Sequence, residues 1–305
     1  VNPNVVSTRN NINPLYDINN KIQRGTANRF LGNYGIRFMP STWASFNVNY
    51  NLDYFHYQDE DLIPKGRLFV NYPDGSIRDD GYVYKGTGNT FKHNFEASGL
   101  LTKTFNELTS TLKLQYLYED LKSEGLWGNG SKLAVSGMNV TSLELADPET
   151  RDHSSWASRI VSNSYTAVGN IDYKGKYIID GLVRRDGASV IGADNMWQTY
   201  YRISGAWNVT EDFKIPKFQM LKPRISYGIA GILPDYGAKY ETFALSNGTL
   251  YGGDQLGNKK LKPALSEELE LGIDMRFFNR FDLTYTYSNK RNTDLPYVMT
   301  VSRVT

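Results

Sequence analysis

Residues 41–55 read STWASFNVNYNLDYF, and from Ala44 onward their side chains alternate without a slip. Ala44, Phe46, Val48, Tyr50, Leu52 and Tyr54 are apolar or aromatic, while Ser45, Asn47, Asn49, Asn51 and Asp53 between them are polar. Successive side chains of a β-strand point to opposite faces, so this stretch is a strand with one oily and one wet face.

The same period recurs down the chain. Phe91, Phe95, Ala97 and Leu101 alternate with Lys92, Asn94, Glu96 and Ser98, and Leu112, Leu114, Tyr116 and Tyr118 alternate with Thr111, Lys113 and Gln115. Tyr165, Ala167, Ile171 and Tyr173 face away from Ser164, Thr166, Asn170 and Asp172. Leu269, Leu271, Ile273 and Met275 oppose Glu268, Glu270 and Asp274, and Phe281, Leu283, Tyr285 and Tyr287 oppose Asp282, Thr284, Thr286 and Ser288. With further strands near residues 29–38, 177–186, 197–209 and 221–232, the pattern predicts about ten strands with no convincing helix between them.

Two architectures share this alternation. A sandwich buries the apolar faces in a core, whereas a membrane barrel turns them to lipid and keeps the polar face in a wet lumen. The connections discriminate: those at 39–42, 102–107, 174–176 and 277–280 are short, with 210–220 a longer member of the set. Those at 56–88, 120–156, 187–196 and 233–264 are mostly long. Sorting of short turns to one rim and long loops to the other is the habit of outer-membrane barrels. Several strands carry about 12 to 15 alternating residues where about 9 to 11 cross a bilayer, so the wall is expected to project beyond the membrane. Tyr54, Tyr118, Tyr173, Tyr177, Trp197 and Trp207 stand where interfacial girdle residues belong. The fold class expected is all-β, an antiparallel transmembrane β-barrel.

Composition agrees. Of 305 residues, 22 are tyrosine and 27 glycine, and cysteine is absent, which excludes a disulfide scaffold and a thiolate zinc site. A net charge of +2 gives no electrostatic footprint for nucleic acid. No apolar run reaches the about 18 residues of a membrane-spanning helix, and the N-terminal residues lack the pattern of a signal peptide.

Five segments carry a resemblance in the right order. NIDYKGKYIIDGLVRRDGASVIG (170–192), YYRISGAWNVTEDF (200–213), LKPRISYGIAG (221–231), NKKLKPALSEELELGID (258–274) and NTDLP (292–296) together resemble the SusC/RagA-type TonB-dependent outer-membrane transporters. The matching positions include Tyr173, Gly175, Lys176, Tyr177, Asp186 and Gly187, then Ser204, Ala206, Trp207 and Glu211. They continue through Leu221, Lys222, Arg224, Ser226, Tyr227, Gly228 and Gly231 to Leu261, Lys262, Pro263, Ser266, Glu270 and Gly272. Val190 and Ile191 depart from the family's usual Arg-Phe, and Ala264 stands where Glu is usual, which puts the rim contacts in question but not the architecture.

The resemblance implies a barrel of the 22-stranded class, of which about ten strands are less than half. Residues 1–305 are accordingly expected to be a middle segment of a transmembrane β-barrel domain, with the plug domain and the barrel's C-terminus outside this chain. It also implies import of an oligosaccharide or peptide, a SusD-like surface lipoprotein as lid, energy supplied by TonB through the plug, contact with outer-membrane lipid, and no cofactor.

A self-contained barrel enzyme of protease or lipase type, and a structural or assembly barrel, are the alternatives. An enzyme needs a base beside its nucleophile. His93 alternates with Phe91 and Phe95 on the apolar face, and His56 and His153 are expected in separate loops, so no catalytic residue is assigned. Asp59, Glu60, Asp61, Asp74, Asp79 and Asp80 are the right ligand type for calcium, but their spacing fits no EF-hand loop and a solvated turn-rich loop is the better account. The glycines of GNG (128–130), GASVIG (187–192) and YGGDQLG (251–257) match no phosphate-binding pattern and are expected in turns.

Recognition is expected in the long loops, where Trp127, Trp156, Tyr200, Tyr201, Tyr236, Tyr240 and Tyr251 offer flat faces to a substrate or a partner protein. Parity places Asp180, Arg184 and Asp186 on the lumenal wall. Arg185 then falls on the outward face, tolerable where the strand has left the hydrocarbon.

Overall fold

Strands in lipid satisfy their backbone groups by pairing with neighbours, and the computed structural model joins the long strands in one continuous ladder. It describes residues 14–66, 68–72, 75–78, 80–234, 237–239, 244–246, 248–251, 257–258 and 260–295. After a short helix α1 (Pro14–Asn19) come β1 (Ile22–Ser41) and β2 (Ala44–Ile63), then the small hairpin β3 (Leu68–Tyr72) and β4 (Gly75–Arg78). The wall continues with β5 (Tyr82–Phe105), β6 (Leu108–Ser131), β7 (Asp152–Tyr173), β8 (Tyr177–Ala188) and β9 (Trp197–Trp207). A single helical turn, α2 (Val209–Asp212), leads to β10 (Phe218–Ile232). A second hairpin, β11 (Ala244–Ser246) and β12 (Thr249–Tyr251), precedes β13 (Ala264–Phe277) and β14 (Phe281–Thr293). Ten strands form one sheet in the order β1-β2-β5-β6-β7-β8-β9-β10-β13-β14, each antiparallel to its neighbours in the sheet.

Register assigns the faces. Tyr50 lies opposite Phe95, Phe95 opposite Tyr118, Tyr116 opposite Tyr165, and Ile179 opposite Ile171 and Gly205. Ile225 lies opposite Leu271 and Leu271 opposite Tyr287, so one face is apolar from β1 to β14. Tyr285 (62 % exposed), Ile203 (58 %) and Ile36 (74 %) stay uncovered, as a wall whose solvent on that side is lipid requires. The short turns form where the chain adopts left-handed backbone, at Asn106, at Lys174-Gly175 and at Phe278-Asn279. Gly175, at φ 66°, also donates its N–H to Asp172 Oδ1 at 2.7 Å.

The strands are longer than alternation predicts, and this corrects the loop assignments. β5 and β6 each run 24 residues and β7 runs 22, so the loops expected at 56–88 and 120–156 shrink at both ends. The cause lies in the solvent: beyond the hydrocarbon both faces of a strand are wet, as in HYQDEDLI (56–63), so period two fades while the backbone ladder persists. Trp127, Trp156, His56, His153, Asp59, Glu60 and Asp61 are therefore strand residues. Gly128 and Gly130 are strand glycines too, not turn residues. They let the β6–β7 connection press on the outward face, since a Cβ at Gly128 would stand 2.6 Å from Leu143 Cδ1 and one at Gly130 2.5 Å from Ala146 Cβ.

What core exists sits above the membrane. Leu62, Val83, Leu133 and Ala146, with Ile22, Leu143 and Leu145 against them, form a cluster that seats the β6–β7 connection on the outward face. Ala188, Val190 and Ile191 pack with Ile160 in a second cluster, on the lumenal side of β7. Val190 and Ile191 are each 2 % exposed, so the apolar pair that departs from the family's Arg-Phe packs the β8–β9 turn instead of reaching outward from the rim.

Candidate functional site

On the polar face, strands β6 to β14 line a concavity of about 950 Å³. Its floor is built by residues of β8, β9 and β10, and its far side by β13 and Lys290 of β14. The sheet carries its charges there as cross-strand sets. Arg184 Nε donates to Asp186 Oδ1 at 2.7 Å and to Ser164 Oγ at 3.1 Å, while Arg202 Nη2 donates to Asp180 Oδ1 at 2.5 Å. The lumenal positions expected for Asp180, Arg184 and Asp186 put them in this network, with Arg184 and Asp186 lining the cavity.

Arg224 spans three strands. Its Nη2 donates to Thr286 Oγ1 at 2.5 Å and its Nε stands 3.5 Å from Asp274, with the guanidinium lying across Gly272. A Cβ on Gly272 would fall 2.5 Å from Arg224 Cζ, so the glycine at that register position is what lets the arginine lie flat. Beyond it Glu268 accepts from Ser288 at 2.5 Å and Glu270 from Ser226 at 3.4 Å. Lys222 and Lys290 line the same cavity, and among the described residues neither makes an ion pair. The site thus presents ammonium and guanidinium groups and carboxylates held by hydroxyls within one hollow, able to receive both charges of a zwitterion or the hydroxyls of a sugar.

The aromatics divide. Tyr200 lines the cavity but is 7 % exposed, its phenol packed on Gly231, where a Cβ would stand 1.9 Å from the hydroxyl. Trp127 and Trp156 share the lumenal parity on β6 and β7 beyond the cavity, Trp156 resting over Gly125. Tyr201 lies on the outward face, opposite Val183 and Ile229, with its ring 6.4 Å from that of Tyr227. It is a wall residue where a loop residue was expected. Tyr236 and Tyr240 lie outside the described residues, and Tyr251 ends β12. Sequence reasoning missed Arg202, Arg224, Glu268 and Glu270; parity marks all four as lumenal, but only register brings them together.

His93 stands on the outward face among Tyr50, Phe91 and Tyr118, 3.5 Å from Asp120. His56 Nδ1 is 2.8 Å from Asn89. Glu60 is held by Lys85 at 3.0 Å and by Thr141 at 2.8 Å, and Asp74 and Asp79 lie outside the described residues. Among the described residues no group of three or more His, Asp and Glu could hold a metal ion.

On the short-turn rim, Asp212 of α2 accepts from Lys176 Nζ at 2.8 Å, Tyr177 Oη at 2.6 Å and Trp207 Nε1 at 2.9 Å. These three donors hold its carboxyl down at about 2.

Residues 2–303 match the family model described as TonB dependent receptor-like, beta-barrel. The chain is 27% identical over 231 residues to TonB-dependent receptor P3 of Formosa agariphila, covering 70% of this chain and 22% of that protein. It is 26% identical over 258 residues to TonB-dependent receptor P39 of the same organism, covering 78% and 23%. Among solved structures the RagAB peptide transporter superposes with a TM-score of 0.79 at 14% identity, over 92% of this chain and 32% of that one.

Proposed function

We propose that this chain, which belongs to the TonB-dependent receptor-like β-barrel family, supplies wall, lumen lining and external loops to an active importer of oligosaccharides or peptides. It is an outer-membrane β-barrel wall, and since it spans 22% of one curated relative and 32% of the RagAB chain, the importing activity is assigned to a larger receptor of which this wall is part. The observation that carries the reading is the lumenal cavity, with arginines, lysines and carboxylates set on adjacent strands behind an apolar outer face. Such a lining binds and releases a polar solute without covalent chemistry. For transport, the solute must bind differently in the two states of the plug. A SusD-like lipoprotein closing the external side and TonB acting through the plug complete the mechanism.

The test is uptake by intact cells lacking the receptor gene. Loss of growth on one glycan or peptide mixture, with surface hydrolysis unchanged, supports import. Unimpaired growth on every such mixture, or loss of surface hydrolysis instead, overturns it.

A further inference from the structure

Above the membrane, the lumenal face of β2, β5, β6 and β7 carries a second constellation, apart from the cavity. Tyr57, Gly88, Gly125 and Trp156 form one cross-strand row, and Asp59, Gly86, Trp127 and Ser154 form the next. Tyr57 lies well up β2 (Ala44–Ile63), past the roughly 9 to 11 residues that cross hydrocarbon. Both rows repeat one device, a large ring laid over a residue with no side chain. A Cβ at Gly88 would stand 2.6 Å from Tyr57 Cε1, one at Gly86 2.6 Å from Tyr84 Oη, and one at Gly125 2.9 Å from Trp156 Nε1. Glycine at these register positions lets the rings lie against the wall. Phe55 extends the surface, its ring 6.2 Å from that of Tyr57 and tilted from it by 31°. Trp156 is 44 % exposed, and the β6–β7 connection packs on the other face of the sheet, so the rings stay open to the lumen.

Charge narrows the ligand. Asp59 and Asp61 border the rings on the same face, and among the described residues neither carboxylate has a hydrogen-bond or ion-pair partner. Burial, and then the Asp59 carboxylate, raise the Tyr84 phenol above its ordinary value, which sets ring and acid side by side. Three successive lumenal rows, from Gln23, Gly25 and Ala27 on β1 to Asp152, Ser154 and Trp156 on β7, include no lysine or arginine. The cavity, by contrast, is lined by Arg184, Arg202 and Lys222. A carboxylate accepts hydroxyl protons, and a flat ring receives the C–H face of a sugar. An anionic ligand would meet only negative charge here. A cation is best held by rings standing around it as a cage, whereas these lie side by side against the sheet.

We propose that Tyr57, Tyr84, Trp127 and Trp156 form a glycine-backed stacking platform for the uncharged rings of an oligosaccharide, with Asp59 and Asp61 accepting its hydroxyls. The platform rests on the import reading and narrows its cargo, which is held on the external part of the wall before it reaches the cavity. From Tyr57 to Trp156 the sheet spans three inter-strand spacings, about 14 Å, room for more than one sugar ring.

The experiment uses the full-length receptor in detergent with arrays of neutral oligosaccharides, of uronate-bearing oligosaccharides and of lysine-rich hexapeptides. At least one neutral oligosaccharide is expected to bind, equally at low and high salt, because stacking is not screened. Trp156→Ala and Tyr57→Ala should each weaken that binding about tenfold, whereas Leu126→Ala, beside Trp127 but on the outward face, leaves it unchanged. Hydroxyl-radical footprinting of the parent, which needs no variant, should show Trp127 and Trp156 protected by the bound oligosaccharide. Binding of no neutral oligosaccharide, binding only of the uronate-bearing ligands or salt-sensitive binding only of the peptides, unchanged affinity in both variants, or no protection overturns the platform. Growth tells the two readings apart: if the platform alone fails, uptake of some solute still depends on the receptor gene, and if import fails, none does.

Discussion

Gly231 and Gly181 show how differently one residue type is used along the wall. Gly231 exists to admit the Tyr200 phenol, since a Cβ there would stand 1.9 Å from its hydroxyl, whereas nothing lies within 4 Å of a Cβ at Gly181 on the outward face. Gly231→Ala must displace a ring that is 7 % exposed, and overpacking of that kind costs roughly 1 to 3 kcal/mol. Gly181→Ala should be neutral, and comparison of the heat-modified gel mobility midpoints of the two variants of the full receptor checks this. Asp212 gives a prediction with a pH axis. Its carboxyl is depressed to about 2 by Lys176, Tyr177 and Trp207, so its contribution is fully present above its unfolded value and is lost as pH falls through the folded one. The receptor's melting point should decline between about pH 4 and pH 2, and Asp212→Asn should flatten that decline while lowering the plateau at neutral pH. A parent and variant with parallel pH curves would dissociate the short-turn rim from acid lability.

At the scale of the strand, β2 holds the sharpest contrast between neighbours. Val48 is 41 % exposed on the apolar face and pairs with Ile36 and Ala97, whereas Asn49 pairs with Gly35 and Glu96 on the polar one. Lys at Val48 should cost about 2 to 4 kcal/mol near the midplane and much less at Asn49. Equal destabilisation, measured as urea unfolding of the full receptor in detergent, would reverse the face assignment. That same alternation made the strands legible from sequence, because lipid on one side and water on the other leave a period of two wherever the wall is in the membrane. It stops being legible at His56 in β2 and again above Asp120 in β6, where both sides are water and polar residues occupy both parities. Trp127 and Trp156 were expected in loops for that reason. At the lumenal cavity, parity alone assigns a face to Asp180, Arg184 and Asp186. Arg224, Gly272 and Thr286 meet only through the registers of β10, β13 and β14, and residue spacing carries no trace of register between strands so far apart in sequence.

The whole sheet raises a question its parts do not. Among the described residues β1 and β14 each pair on one side only, with β2 and β13, so the wall of ten strands has two open edges. β1 is 20 residues long and β14 is 13, and alternate backbone groups along each point away from the paired side. In hydrocarbon every such unsatisfied N–H or C=O costs several kcal/mol, and a barrel escapes that cost only by closure. The sum over both edges exceeds the roughly 5 to 15 kcal/mol that holds an ordinary domain together. Nor does a core compensate, because the two buried clusters lie on opposite faces and above the membrane, around Leu62 and around Val190. Expressed alone, residues 1–305 should therefore fail to give a heat-resistant folded species. Refolded into detergent micelles, the segment is expected to aggregate through its edge strands and to run at one gel mobility whether heated or not. A monodisperse micelle-borne species with native strand content by circular dichroism would show that the edges can be satisfied without further strands, and the wall would then have to be treated as a self-sufficient barrel.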